Sequence, residues 1–223
     1  MTSHDIPIWT PSAEIVNQSR VEDFRAWVNR EHGVGAEDYP ALLAWSLTEL
    51  ATFWDAIWCY FDVHGDRGER VLLSTQMPGA QWFPDTTLNY VDQVFRHDGI
   101  AIAERAEPAG PPPRQFTYAE LRDQVAHLAG WLQAQGVGPG DRVVGYLPNI
   151  AETVIGFLAA ASLGALWSGC GQDYSAQAAI DRLGQLEPTV LITADGYRYG
   201  GKDHDRRSAI AQVRAGLGGP VTL

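Results

Sequence analysis

Residues 196–203 read GYRYGGKD, and Lys202 in that stretch is the only lysine of the chain, the other fifteen Lys/Arg side chains being arginines. From Gly196 to Lys202 the spacing is G-x-x-x-x-G-K, and TVLIT just before it reads as the strand that would feed a phosphate-binding loop. Such a loop wraps phosphates in successive backbone N–H groups, uses small residues to bring them close, and places Ser or Thr after the lysine as a magnesium ligand. Here Tyr197, Arg198 and Tyr199 fill the loop, and Asp203 stands where the hydroxyl belongs. Spacing alone leaves three readings open: a nucleotide phosphate loop, a solvated turn, and another anion site in which Arg198 and Lys202 meet a phosphate.

Other chemistry finds less support. The six histidines (positions 4, 32, 64, 97, 127 and 204) show no H-E-x-x-H or H-x-x-E-H spacing, and Cys59 and Cys170 stand far apart with no metal-ligand pattern. No G-x-S-x-G elbow occurs, so covalent hydrolysis has no positive evidence. Glu152, Asp173 and Asp181 fall where helix caps and surface faces account for them. No catalytic residue and no metal ligand is expected on these grounds.

The elements that must position this stretch follow from periodicity. Ser12 precedes AEIVNQSRVEDFRAWV, where Ile15, Val16, Phe24, Trp27 and Val28 share one face and predict a helix. ALLAWSLTELATFWDAIWCYF predicts a second, whose tryptophans are read as packing residues. MPGAQWFPDT reads as an ordered surface loop, LNYVDQVF as helical, IAIAER as a strand and EPAGPPPRQ as a proline-rich turn. Thr117 and Glu120 match a capping box for the helix that Gly136 stops. Then RVVGYL, GALWS, TVLIT and PVTL predict strands, alternating with helices over AETVIGFLAAASL, SAQAAIDRLGQL and DRRSAIAQVRAGL.

The expected fold class is α/β: a helical N-terminal region over 1–97, then part of a doubly wound parallel sheet over 98–223. The last strand predicts a sheet that continues beyond it. With 45% hydrophobic and 19% charged residues the chain has the composition of an ordinary globular protein. Its formal net charge of −11 disfavours nucleic acid and anionic membranes as general partners. The longest apolar run, 154–167, falls short of the ~20 residues that span a bilayer, and the N-terminus has no signal-peptide pattern. A cytoplasmic protein is the expectation.

Read together, IWTPS, FWDAIWCYF, MPGAQWFPDTTLNY, FTYAEL, GVGPGDRVVGYLPNIAETVIGFLAAASLGALWS, DRLGQLEP and GYRYGGKDHD follow the order found in one family. The chain resembles the acetoacetyl-CoA synthetases of the adenylate-forming acyl-CoA synthetase superfamily, from about residue 7 to about 215. The resemblance implies a ligase of lipid and ketone-body metabolism that uses ATP and magnesium to make an acyl adenylate and then transfers the acyl group to coenzyme A. It also implies that much is missing: the superfamily's S/T-S-G-T-T-G-x-P-K loop and its C-terminal lysine have no counterpart in these 223 residues. An N-terminal portion, truncated and inactive alone, is therefore expected. Two alternatives stand beside it: a non-catalytic module that complements a separately encoded C-terminal part, and a fragment of an acetyl- or propionyl-CoA synthetase.

One functional patch is carried over by the resemblance. A loop matching Gly171, Gln172, Asp173 and Tyr174 approaches coenzyme A in such enzymes, as does an R-x-x-R pair whose first arginine matches Arg198. The second arginine falls at Gly201, beside Lys202, which is expected to supply that charge. Gln172, Asp173, Arg198 and Lys202 are thus the candidate coenzyme A contacts.

Overall fold

A computed structural model describes residues 7–107 and 110–223, with the side chains of Val221 and Thr222 outside the description. The chain divides into two compact units, 1–88 and 89–223. The proline-rich turn at 107–115 lies partly outside the described residues.

In the first unit, α1 (Ala13–Asn17) and α2 (Arg20–His32) replace the one helix expected from Ser12. The break falls at Gln18-Ser19, where the Ser19 hydroxyl accepts the Glu22 N–H and restarts the helix, a competition that short polar side chains win at helix ends. Phe24 and Val28 are buried as the pattern requires, but Ile15 and Val16 on α1 are exposed. The second expected helix also divides, into α3 (Tyr39–Thr48) and α4 (Leu50–Tyr60), at Glu49 with φ −105° and ψ 52°. These helices bury Phe24, Val28, Ala36, Leu42 and Ala56, with Trp27, Trp45 and Phe53 packed around them. Edge-to-face contacts of Phe24 with Phe53 and Tyr60 supply the aromatic area that the tryptophan-rich sequence promised, although Trp54 keeps one flank in solvent. The expected loop at 77–86 contains a short strand: β1 (Leu72–Ser74) pairs antiparallel with β2 (Gln81–Trp82).

The second unit begins with α5 (Tyr90–Val94). An antiparallel pair follows, β3 (Ile100–Glu104) with β4 (Arg114–Thr117), the second of which periodicity did not reveal. Helix α6 (Tyr118–Ala134) opens on the expected capping box: Thr117 Oγ1 accepts the Glu120 N–H, and the Glu120 carboxylate accepts the Thr117 N–H. Gly136, at φ +86°, stands just past its end.

From there strands and helices alternate through β5 (Arg142–Tyr146), α7 (Ala151–Ser162), β6 (Leu166–Cys170), α8 (Ala176–Leu183) and β7 (Val190–Thr193). A hairpin of β8 (Gly196–Tyr199) and β9 (Lys202–Asp205), then α9 (Arg207–Gly216) and β10 (Val221–Thr222), complete the chain. The four parallel strands run β10-β7-β5-β6. β6 begins two residues later than the sequence implied, because Gly164 at φ +70° and Ala165 turn the chain out of α7 before pairing starts. Successive residues of β5 point to opposite faces: Val143 packs beneath α6 and α7, Val144 and Tyr146 beneath α8 and α9. A doubly wound sheet is the result.

A cluster of charges ties the antiparallel pair to α7. Arg114 bonds Glu104 at 2.6 Å and Glu152 at 2.7 Å, and Glu104 also accepts the Ala151 N–H at 2.9 Å in the first turn of α7. The Arg114 guanidinium holds both carboxyls below the usual glutamate range, and the Ala151 amide adds to this at Glu104. Carboxyls lowered in the folded state add stability above their unfolded range near 4.5, and that stability is lost as pH falls through it. Arg114→Met is therefore expected to cost about 0.5–1 kcal/mol near neutral pH, given the partial exposure of the cluster. The cost should shrink as pH is brought from neutral to below the usual glutamate range and on through the lowered folded-state values, where both carboxyls take up protons. Urea denaturation at neutral pH and below that range checks it; an equal loss at both would remove the electrostatic account.

Candidate functional site

In a parallel sheet, ligands meet loops at the carboxyl ends of strands, near the point where connections leave in opposite directions. Here that point lies between β5, whose chain continues through α7 to β6 on one side, and β7, whose chain continues to β10 on the other. Three segments gather at this end: 147–150 after β5, 171–175 after β6, and 194–206 after β7.

The loop after β6 is pinned from within. Gln172 is 1% exposed, and its Nε2 donates to the Ala194 carbonyl and, at 3.4 Å, to Thr193 Oγ1. Thr193 Oγ1 in turn donates to the Tyr146 carbonyl at 3.0 Å. The Tyr146 hydroxyl donates to the Tyr174 carbonyl at 2.7 Å, while Arg206 Nη2 donates both to that hydroxyl and to the same carbonyl. Ser175 then caps α8 by accepting the Ala178 N–H. Arg182 lies 4.7 Å above the Tyr174 ring. The loop is thus fastened to both ends of the segment carrying the hairpin, through Ala194 before it and Arg206 after it.

The GYRYGGKD stretch is a two-residue β-hairpin, which corrects the phosphate-loop reading. A phosphate loop passes from strand to helix, whereas here Gly196 and Lys202 sit on opposite strands. Gly196 is needed for a different reason. A Cβ there would fall 2.2 Å from the His204 carbonyl oxygen, so only hydrogen fits between the strands. Asp203, standing in the magnesium ligand's place, is bonded to Arg198 at 2.8 Å. Among the described residues no cluster of three His, Cys, Asp or Glu could hold a metal. Tyr197 and His204 stack across the strands, 4.9 Å between ring centres.

An open groove of about 540 Å³ runs along the hairpin, lined by Asp195, Tyr197, Asp203, His204, Asp205 and Arg207 among others. Three carboxylates face it, and Arg207 is engaged by Asp205, whose carboxyl it draws down to about 2. Such a lining repels a polyphosphate. Positive charge lies elsewhere, at the tip, where Lys202 is exposed and has no ion pair among the described residues. The tip amides of Gly200 and Gly201 donate at 2.9 Å to the two carboxylate oxygens of Glu107.

Of the residues singled out from sequence, Asp173 and Lys202 are exposed, and Arg198 is half-buried in its pair with Asp203. Gln172 points inward, so its side chain supports the loop and does not reach solvent. Tyr146, Arg206 and Glu107 escaped the sequence reading. Tyr146 was hidden inside an ordinary strand pattern, and Glu107 acts 93 residues away from its partner. Cys170 is buried, and burial pushes its thiol up, away from a nucleophile's range.

Comparison with known proteins places this geometry. Residues 95–221 match the family model described as AMP-binding enzyme, and residues 39–94 the one described as acetyl-coenzyme A synthetase N-terminus. The acetoacetyl-coenzyme A synthetase of Rhizobium meliloti is 38% identical over 218 residues, covering 97% of this chain and 34% of that one. The acetoacetyl-CoA synthetase of Macaca fascicularis is 32% identical over 216 residues, covering 94% and 32%. A solved acetoacetyl-CoA synthetase from Streptomyces lividans superposes with a TM-score of 0.88 at 46% identity, covering 96% of this chain and 34% of that chain. The chain thus spans about a third of the length of the relatives it matches.

Proposed function

The chain belongs to the AMP-binding enzyme family, and from that membership we propose that it is the N-terminal portion of an acetoacetate–CoA ligase. In this reading the complete enzyme forms acetoacetyl adenylate and pyrophosphate from acetoacetate and magnesium-bound ATP, then passes the acyl group to the thiol of coenzyme A with release of AMP. The observation that carries it is the superposition on the Streptomyces lividans acetoacetyl-CoA synthetase along 96% of this chain. The helical region 1–97 and the α/β region 98–223 are its two functional parts, and the cytoplasm is its place.

These residues fit the coenzyme A end of such a site and not the ATP end. Lys202 would meet a phosphate of coenzyme A as a point charge, and Arg198 would do so once released from Asp203. Asp173 lies on the loop that Gln172, Tyr146 and Arg206 hold rigid, which lets that loop meet a ligand without first being ordered. When bound, coenzyme A supplies the thiol that accepts the acyl group. Neither the hairpin nor Asp203 forms a triphosphate cradle, so no adenylation step is assigned to this stretch.

The 223-residue chain is accordingly expected to show no acetoacetate-dependent exchange of labelled pyrophosphate into ATP. Exchange above the no-enzyme background would overturn its reading as catalytically incomplete. For the coenzyme A contact, calorimetry on wild type, Arg198→Ala and Lys202→Ala is expected to lose most of the binding heat with Lys202→Ala. Equal heats for all three would sink that contact.

A further inference from the structure

The hairpin tip already holds an anion. Gly200 and Gly201 occupy the turn with φ +60° and +72°, a conformation open to glycine at no steric cost. Their adjacent N–H groups each take one oxygen of the same carboxylate, Glu107, at 2.9 Å. Successive backbone amides turned to one side form a concavity suited to phosphate oxygens as much as to a carboxylate. Lys202 follows directly in the chain, exposed and without an ion pair among the described residues. We infer that the hairpin tip is a phosphomonoester site held closed by an internal competitor: the Gly200 and Gly201 amides and Lys202 receive the phosphate, and Glu107 occupies the amides until displaced.

The chemistry favours exchange over a permanent pin. A phosphomonoester carries about −1.5 to −2 charge at neutral pH and has three acceptor oxygens, so it satisfies both amides and still has an oxygen for Lys202. Glu107 offers one charge and two oxygens, both already spent on the amides. Tethering gives Glu107 a high local concentration, so ligand is opposed by the fraction of time the tip is closed. Hydrogen bonds from the Gly201 and Gly200 amides lower the Glu107 carboxyl below its usual range, so the closed tip favours the carboxylate form. The inference rests on the reading of this hairpin as a coenzyme A contact, and it adds the atoms of the site and its gate.

The test titrates the isotope-labelled 223-residue chain with inorganic phosphate, and separately with adenosine 3′,5′-bisphosphate, while following the Gly200 and Gly201 amide resonances. Wild type is compared with Glu107→Gln, Glu107→Ala and the double variant Glu107→Gln/Lys202→Ala. Both Glu107 variants are expected to bind phosphate about tenfold more tightly than wild type, with the gain lost in the double variant. Unchanged affinity, or a gain that leaves the two glycine resonances unmoved, overturns the proposal. So does loss of exchange protection across the hairpin in both Glu107 variants, since Glu107 would then be a structural pin. Coenzyme A separates the two readings. Phosphate bound at the tip without any coenzyme A binding leaves the anion site standing and removes the coenzyme A contact. Coenzyme A binding that needs Lys202 but ignores Glu107 does the reverse.

Discussion

Gly196→Val is expected to open the β8–β9 hairpin while leaving the parallel sheet folded. The new Cβ would lie 2.2 Å from the His204 carbonyl oxygen and 3.1 Å from its carbon, both of them backbone atoms that no rotamer change can move. Relief requires the strands to separate, and four cross-strand pairs, from Gly196↔Asp205 to Tyr199↔Lys202, depend on their approach. The local cost is about 2–3 kcal/mol, which would raise amide exchange across the hairpin roughly 30- to 150-fold while β5 and β7 stay protected. The tip site should vanish with it, because Gly200, Gly201 and Lys202 are positioned by that pairing. Were Gly196 instead the first glycine of a phosphate loop, valine would cost ligand affinity and leave strand exchange untouched. Hydrogen exchange read by mass spectrometry separates the two.

Gly156→Val is expected to lower the stability of the whole α/β unit. Gly156 on α7 and Gly145 on β5 both face the Trp167 ring, and a Cβ at either would come within 2.9 Å of ring carbons. Two effects oppose each other. Glycine in a helix interior costs about 1 kcal/mol relative to alanine, so adding a side chain gains up to that much. Against it stands overpacking by about 1–3 kcal/mol for a rigid neighbour that cannot swing aside, and valine adds two methyls beyond the first carbon. Overpacking wins, with a net loss of about 1–2 kcal/mol and a melting temperature lower by roughly 2–8 °C. Combining it with Trp167→Phe should recover part of the loss, because the smaller ring vacates the space a Cβ needs. A double-mutant cycle with no coupling would show that the ring and the glycine do not constrain each other.

How far the site could be read from sequence differs residue by residue. The capping box at Thr117 and Glu120 was legible because it is local: two side chains and two amides three residues apart. The breaks at Ser19 and Glu49 were missed because apolar spacing runs on through them; at Ser19 a side-chain cap restarts the helix, and at Glu49 the backbone leaves helical geometry without a side-chain cap. β4 was missed because RQFT has little alternation of its own and becomes a strand by pairing with β3. GYRYGGKD looked like a loop because its glycines were counted along the chain; folded, one glycine permits strand approach and the other two make the turn.

The sequence by itself determined the α/β alternation, the capping box at Thr117 and the order of motifs that marks the family, all of which are written in neighbouring residues or in periods of two and 3.6. It also singled out Lys202 as the lone lysine. Only the tertiary structure decided what surrounds that lysine. Asp203 neutralises Arg198 across five residues, Gln172 turns inward to Ala194, and Glu107 reaches the tip amides from 93 residues away. Each is a hydrogen bond whose partners are brought together by strand pairing and chain reversal, and such proximity leaves no trace in the spacing of either partner.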